Sequence, residues 1–254
     1  RGYKSIVRRD VVRLVTPGTL TEESLLDARR HNYLAAFAQV RDESALAWVD
    51  ISTGAFHVMP CALLRLGPEL ARLGPQEVLL AEASEAGLAG IVSESGAAAT
   101  NLGRAAFDST AGEKRLCRLF GIASLDAYGT FGRAEVAAMA AVVEYLEITQ
   151  KGNLPLLRPP VQEAQASAMQ IDATTRRSLE LTHALGGGRA GSLLACIDRT
   201  VTAGGARLLE RRLASPSCSL VVIQARQEAV AFFVEQGRLA ADLRDRLRAV
   251  PDVD

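Results

Sequence analysis

The sequence predicts a mixed α/β domain followed by an all-helical segment, and three observations carry that reading. Three short apolar runs, residues 33–40, 45–51 and 55–59, are separated only by short polar or glycine-containing turns, the pattern of an antiparallel meander. Strand-like and helix-like stretches then alternate, which calls for a sheet covered by helices. Residues 151–160 gather a glycine, an asparagine and three prolines that cannot extend the preceding helix, and everything after Asp172 follows a helical period.

At the start, Arg8, Arg9 and Arg13 alternate with Val7, Val11, Val12 and Leu14, as in an exposed strand or extended linker. Thr16-Pro17-Gly18-Thr19 is a turn, since proline fixes φ and glycine supplies a permissive position. Thr19 or Thr21 can cap the next helix, with Glu22 and Glu23 at its positive end. After the meander, residues 61–73 read as a helix, 77–81 as a short buried strand, 85–92 as a helix and 97–102 as a strand. Residues 112–120 form a helix ended by Gly121. Residues 134–150 are the clearest helix, with Val136, Met139, Ala140, Val143, Leu146 and Glu147 recurring at three and four.

Residues 161–169 read as a short extended piece. Asp172, Thr174 and Thr175 then open a helix that carries Leu179, Leu181 and Leu185 towards a glycine run. A short helical segment follows, then a polar turn (Thr200, Thr202, Gly204, Gly205) and a helix closed by Pro216. Ser219 can cap a long helix from Leu220, whose Val222, Ile223, Ala225, Ala229, Val230 and Phe233 include the buried positions. Gly237 interrupts it and residues 239–250 resume.

Composition is that of a globular protein, with 48% hydrophobic and 23% charged residues. Lys plus Arg equals Asp plus Glu at 29 each, whereas a dedicated nucleic-acid module carries a basic excess. Cys61, Cys117, Cys196 and Cys218 are widely spaced, which argues against a zinc site or a disulfide framework. No apolar run is long enough for a bilayer, so no membrane is expected and the location reads as cytoplasmic. The chain opens at Arg1 and closes with Asp252 placed like a helix N-cap, which reads as a fragment of a longer protein.

The order Asp172-x-Thr174-x3-Ser178-Leu179-Glu180-Leu181, then Thr202-x2-Gly205-x-Arg207-x-Leu209-x3-Leu213-x2-Pro216, resembles the opening of the core (lever) domain of the MutS family of DNA mismatch-repair proteins. Val12-Arg13-Leu14-Val15-Thr16-Pro17-Gly18-Thr19 resembles the family's link between its mismatch-reading and connector domains. Ala203 stands where the family often has proline, and Arg212 where it often has tryptophan. The resemblance implies residues 1–18 as that link and 19–152 as a connector domain with an RNase H-like mixed sheet and flanking helices. Residues 153–160 would be a linker and 161–254 the first part of an all-α core/lever segment.

It further implies a parent that binds mismatched duplex DNA as a homodimer, uses ATP and Mg²⁺, and meets a MutL-type partner through the connector. This chain would take no cofactor of its own and would join the remainder of the parent. Asp172, Thr202, Gly205, Arg207, Leu209 and Pro216 are the candidate structural and relay residues, and no catalytic or metal residues are expected. For Arg207, on an otherwise apolar helix, the expectation is an ion pair with Asp172, Glu180 or Asp198.

Three motifs invite other chemistry. Asp50 occupies a place like the first metal-binding carboxylate of RNase H-like nucleases, which makes an Mg²⁺-dependent nuclease the alternative function. One carboxylate cannot hold two metal ions, and Glu77 and Glu82 carry a spacing common on solvated strand edges, so Asp50 reads instead as a turn-capping residue. Gly186 to Gly191 satisfies G-x-G-x-x-G but follows a helix, and Ser192 sits where a phosphate loop needs lysine, so it reads as a helix end and connection. His31, His57 and His183 have no partner at ligand spacing.

Overall fold

The computed structural model describes residues 11, 13–20, 27–82, 87–151, 154–164 and 168–251. The expectations placed on Val7, Arg8, Arg9, Val12, Thr21, Glu22, Glu23 and Asp252 lie outside them.

Strands β1 (Tyr33–Val40), β2 (Glu43–Asp50) and β3 (Phe56–Pro60) form the expected meander, with Tyr33 opposite Asp50 and Val40 opposite Glu43. Helix α1 (Leu63–Leu73) leads to β4 (Glu77–Ala81), and α2 (Leu88–Glu94) leads to β5 (Ala98–Leu102). Both returning strands add parallel on the far side of β1. Among the first five strands the order is 5-4-1-2-3, with β2 alone reversed, which is the RNase H-like arrangement.

Both faces of this sheet are covered, and that is why its central strands are apolar at successive positions. On β1, Leu34, Ala36 and Ala38 face one core, while Tyr33, Ala35 and Phe37 face the other. Helices α1 and α2 close the second face. The first is closed by α3 (Ser109–Phe120) and α4 (Arg133–Thr149). Asp108 caps α3 through the N–H groups of Thr110 and Ala111, so this helix starts earlier than its apolar period suggests. An amphipathic α4 is expected from the sequence, yet every residue from Ala134 to Val143 is buried. It is sandwiched between sheet and α3, so no side of it needs to be polar. A methyl on Gly112 of α3 would meet the Ala140 methyl at 2.5 Å, which shows how closely the two helices approach.

The polar tract after α4 packs on the sheet rather than standing off it. Gly54, at φ +70°, receives the tract so closely that a Cβ would lie 2.0 Å from the Leu156 carbonyl oxygen. Leu157 is buried, and β6 (Val161–Gln162) adds parallel to β3 as the sixth strand. The sheet therefore runs past residue 160 into the stretch assigned to the helical segment. At the other end, Leu14 N–H donates to the Thr149 carbonyl at 2.7 Å.

Helix α5 (Ala173–Ser178) is shorter than its leucine spacing suggests. The chain leaves it through Glu180 at φ +46°, whose carboxylate accepts from Leu185 N–H at 2.6 Å. Leu181 is buried, but Leu179 and Leu185 are exposed. Ser192 caps α6 (Leu193–Ile197), and Thr202 caps α7 (Ala203–Ala214). Helices α8 (Leu220–Glu235) and α9 (Gly237–Leu247) follow. Ser219 makes no side-chain cap to α8. The burial expected for Val222, Ile223, Ala225, Ala229, Val230 and Phe233 is not found, because no residue of α8 is buried and nothing described covers it. No helix among the described residues is long and apolar enough to cross a membrane.

Candidate functional site, a polar seam between sheet and helices

Where the helical segment meets the sheet domain, charged side chains dominate the contact. The residues just before β1 reach α6 and α7. Arg29 donates to both Asp198 carboxylate oxygens (3.2 and 3.0 Å) and to the Thr200 hydroxyl oxygen (2.6 Å). Arg189 donates to the same carboxylate at 3.0 Å, and the Thr200 N–H donates to it at 3.0 Å. Burial works against the charge on Asp198, but the Thr200 hydroxyl and N–H and the Arg29 guanidinium outweigh it and hold the carboxyl down to about 2. One turn into α7, buried Arg207 donates to the Ala28 carbonyl oxygen.

The opposite end of the seam is organised by Arg72 of α1. It donates to Glu69 at 2.6 Å, to Glu163 beyond β6 at 3.3 Å and to the Ser215 hydroxyl oxygen at 3.2 Å. Its guanidinium also stands 5.5 Å from the centre of the Trp48 ring. Buried Arg176 of α5 donates to the Ala214 carbonyl oxygen at 2.8 Å, tying α5 to the end of α7.

The sequence-predicted residues divide between capping and docking. Asp172 caps α5 by accepting from Thr175 N–H at 2.9 Å, and Thr202 caps α7 by accepting from Gly205 N–H at 3.1 Å. A Cβ on Gly205 would stand 2.8 Å from that same Thr202 hydroxyl oxygen, so the small residue belongs to the cap. Pro216 accepts from Met169 N–H at 2.7 Å, and Leu209 is half-buried. Ala203 is the first residue of α7, and Arg212 is exposed. The expectation for Arg207 is an ion pair with Asp172, Glu180 or Asp198, and a main-chain oxygen is among its acceptors. Its described contacts include the Ala28 carbonyl oxygen, while Asp172 is held by Thr175, Glu180 by Leu185 and Asp198 by Arg29 and Arg189.

Glu77 also departs from expectation. It is 1% exposed, and its carboxylate accepts from Thr16 (2.6 Å), Gly18 N–H (2.9 Å), Thr100 (2.6 Å) and Tyr145 (2.7 Å). It thus fastens the incoming chain, the sheet and α4 together. Sequence reasoning missed it because a lone buried carboxylate leaves no periodic mark. Arg29 and Arg72 were missed for a related reason, since their partners lie far away along the chain.

Asp50 does cap its turn. Its carboxylate takes His31 Nδ1 at 2.6 Å and the N–H groups of Asn32 and Ser52. Burial raises its pKa, but those hydrogen bonds outweigh burial and leave it below the usual carboxylate value. Among the described residues no three His, Cys, Asp or Glu side chains converge to hold a metal.

The seam is acid-sensitive with a definite sign. A carboxylate whose folded pKa is depressed contributes stability above its unfolded value, near 3.9, and loses it as pH falls through the folded value. Between about pH 4 and pH 2 the Asp198 clasp should therefore open. The single tryptophan, Trp48, lies under Arg72 at the seam, so its fluorescence can follow the opening. Asp198→Asn should remove the part of that pH dependence due to the clasp and leave the part due to Asp50.

Residues 32–158 match the family description MutS domain II, and residues 174–254 match MutS domain III. The whole chain is 66% identical to the DNA mismatch repair protein MutS of Paracoccus denitrificans, of which it spans 29%. It is 63% identical to that of Roseobacter denitrificans and 64% identical to that of Dinoroseobacter shibae, again over all of this chain and 29% of each relative.

Proposed function

The chain belongs to the MutS family of DNA mismatch-repair proteins, and from that premise we propose that it is the connector and lever of a mismatch-recognition ATPase. The parent protein would bind mismatched duplex DNA as a homodimer in the cytoplasm, using ATP and Mg²⁺ held elsewhere in its length. This part would carry no chemistry. It would pass movement between the nucleotide-binding and DNA-gripping parts, and its sheet domain would offer a surface to a MutL-type partner. The observation that supports this most is the seam itself. Two blocks meet through arginines that grip carboxylate, hydroxyl and carbonyl oxygens from opposite sides, directional contacts of the kind that switch between discrete arrangements.

The bare α8 supports the same reading. It exposes Leu220, Val221, Val222, Val230, Phe232, Phe233 and Val234. A helix so rich in apolar surface is stable only when covered, and relatives of which this chain spans 29% have the length to cover it. The nuclease alternative finds no support, since Asp50 is committed to His31 and to its own turn. Incubated alone with mismatched duplex, ATP and Mg²⁺, the chain should neither turn over nucleotide nor cut DNA, and its DNA binding should be weak and salt-sensitive. Cleavage that disappears in Asp50→Asn would overturn the reading.

A further inference from the structure

Between the sheet and the second half of α7 lies a cavity of about 170 Å³. Its walls come from β1, β3, α1 and α7, so whatever fills it touches both blocks at once. Three buried side-chain atoms on this wall have no hydrogen-bond partner: His31 Nε2, Glu210 Oε2 and His57 Nδ1, the last standing 3.7 Å from the Glu163 carboxylate. Buried polar atoms are rarely left unsatisfied, and a cluster of them around one void points to an occupant. The cavity exceeds the roughly 30 Å³ share of a single water several-fold.

The chemistry of the wall restricts what fits. Arg211 lines the cavity and makes no side-chain hydrogen bond or ion pair among the described residues, so it presents a free cation. Arg72 stands beside it, already engaged with Glu69 and Glu163. Glu210 Oε2 is an acceptor and requires a donor from the occupant. Arg211 is a donor and requires an acceptor. His31, whose Nδ1 faces the Asp50 carboxylate, offers Nε2 as donor or acceptor according to its protonation. The three imidazoles (His31, His57 and His183) and two carboxylates (Glu163 and Glu210) on this wall do not gather closely enough, among the described residues, to hold a metal ion.

We propose that this seam cavity binds a small oxyanion of the hydrogen-phosphate type, which accepts from Arg211 and an imidazole while its own O–H donates to Glu210. Such an ion would join the sheet block to α7 and tighten the seam. Sulfate, of similar size and shape, carries no proton at neutral pH and meets Glu210 oxygen against oxygen.

The test is a titration of the chain with sodium phosphate and, separately, sodium sulfate at matched ionic strength and pH 7. Melting temperature and the imidazole ¹⁵N resonances of His31 and His57 are the readouts. Phosphate should raise the melting temperature and shift both imidazoles, and sulfate should do so at least about tenfold more weakly. Arg211→Ala, at an exposed position, should weaken phosphate about tenfold by removing a charged hydrogen bond. Glu210→Gln, which replaces the acceptor by a donor, should shift preference towards sulfate. Equal responses to both anions that survive Arg211→Ala would reduce the effect to screening and overturn the proposal. So would imidazoles that ignore phosphate altogether.

Discussion

Glu77→Ala is expected to lower stability by about 4 kcal/mol, among the largest effects of any single change in the sheet domain. The carboxylate is buried and accepts from four donors, two of which, the Tyr145 hydroxyl and Gly18 N–H, belong to buried residues. Each donor left buried without a partner costs roughly 1–3 kcal/mol, and alanine also leaves a cavity. Burial raises the pKa of Tyr145 to about 12, so its hydroxyl stays protonated and remains a donor without an acceptor. Glu77→Gln separates charge from volume. The hydroxyls of Thr100 and Tyr145 can rotate to accept from an amide, but Gly18 N–H cannot, so roughly half the loss should remain. Urea unfolding followed by circular dichroism measures both. Amide exchange at Gly18 should quicken in either variant, because the incoming chain loses its anchor.

The second large effect belongs to Arg207. Arg207→Ala should cost about 3 kcal/mol, since it empties a buried site and leaves the Ala28 carbonyl oxygen without this donor. Arg207→Met keeps most of the volume and removes the guanidinium with its polar contacts. A buried ionic or charged contact replaced by a well-packed apolar side chain is often close to neutral, so methionine should recover most of the stability. Comparing the two in urea unfolding separates packing from docking. If alanine and methionine cost the same, the polar contact rather than the filling carries the energy.

How much of this was legible in the sequence depends on how local each cause is. The strands and their order in the chain were readable because a sheet buried on both faces leaves apolar runs bounded by turns, as at residues 33–40 and 77–81. Asp172 was readable as a helix start because a cap needs only a hydroxyl or carboxylate three residues before the N–H it takes, whereas Thr202, read as part of a polar turn, proves to cap α7 in the same way. The end of α5 was not, because Glu180, a residue other than glycine, takes the left-handed conformation there. The burial read for Val222, Ile223, Ala225, Ala229, Val230 and Phe233 of α8 was wrong for these residues as they stand, because none of them is buried. What such a helix packs on is a long-range matter, and none of the described residues does it.

The seam shows the same limit more sharply. Arg207 was singled out as a cation on an apolar helix, but the main-chain carbonyl of Ala28 that it also grips could not be read, since any residue supplies one. Arg29 and Asp198 are ordinary surface residue types until the fold brings them to 3.0 Å. Glu77 was assigned to a solvated edge because its spacing to Glu82 carries no sign of the four donors that converge on it. Packing patterns are encoded locally, whereas polar docking is encoded by pairs that only the tertiary structure reveals.

The central claim is that the seam transmits movement between two blocks, and the parent protein carrying Arg207→Met tests it most directly. The quantity to measure is the ratio of mismatched-duplex affinities with and without ATP. With the seam contact removed and the fold kept, that ratio should fall towards one while ATP and mismatch each still bind. A ratio equal to that of the unaltered parent would contradict the claim.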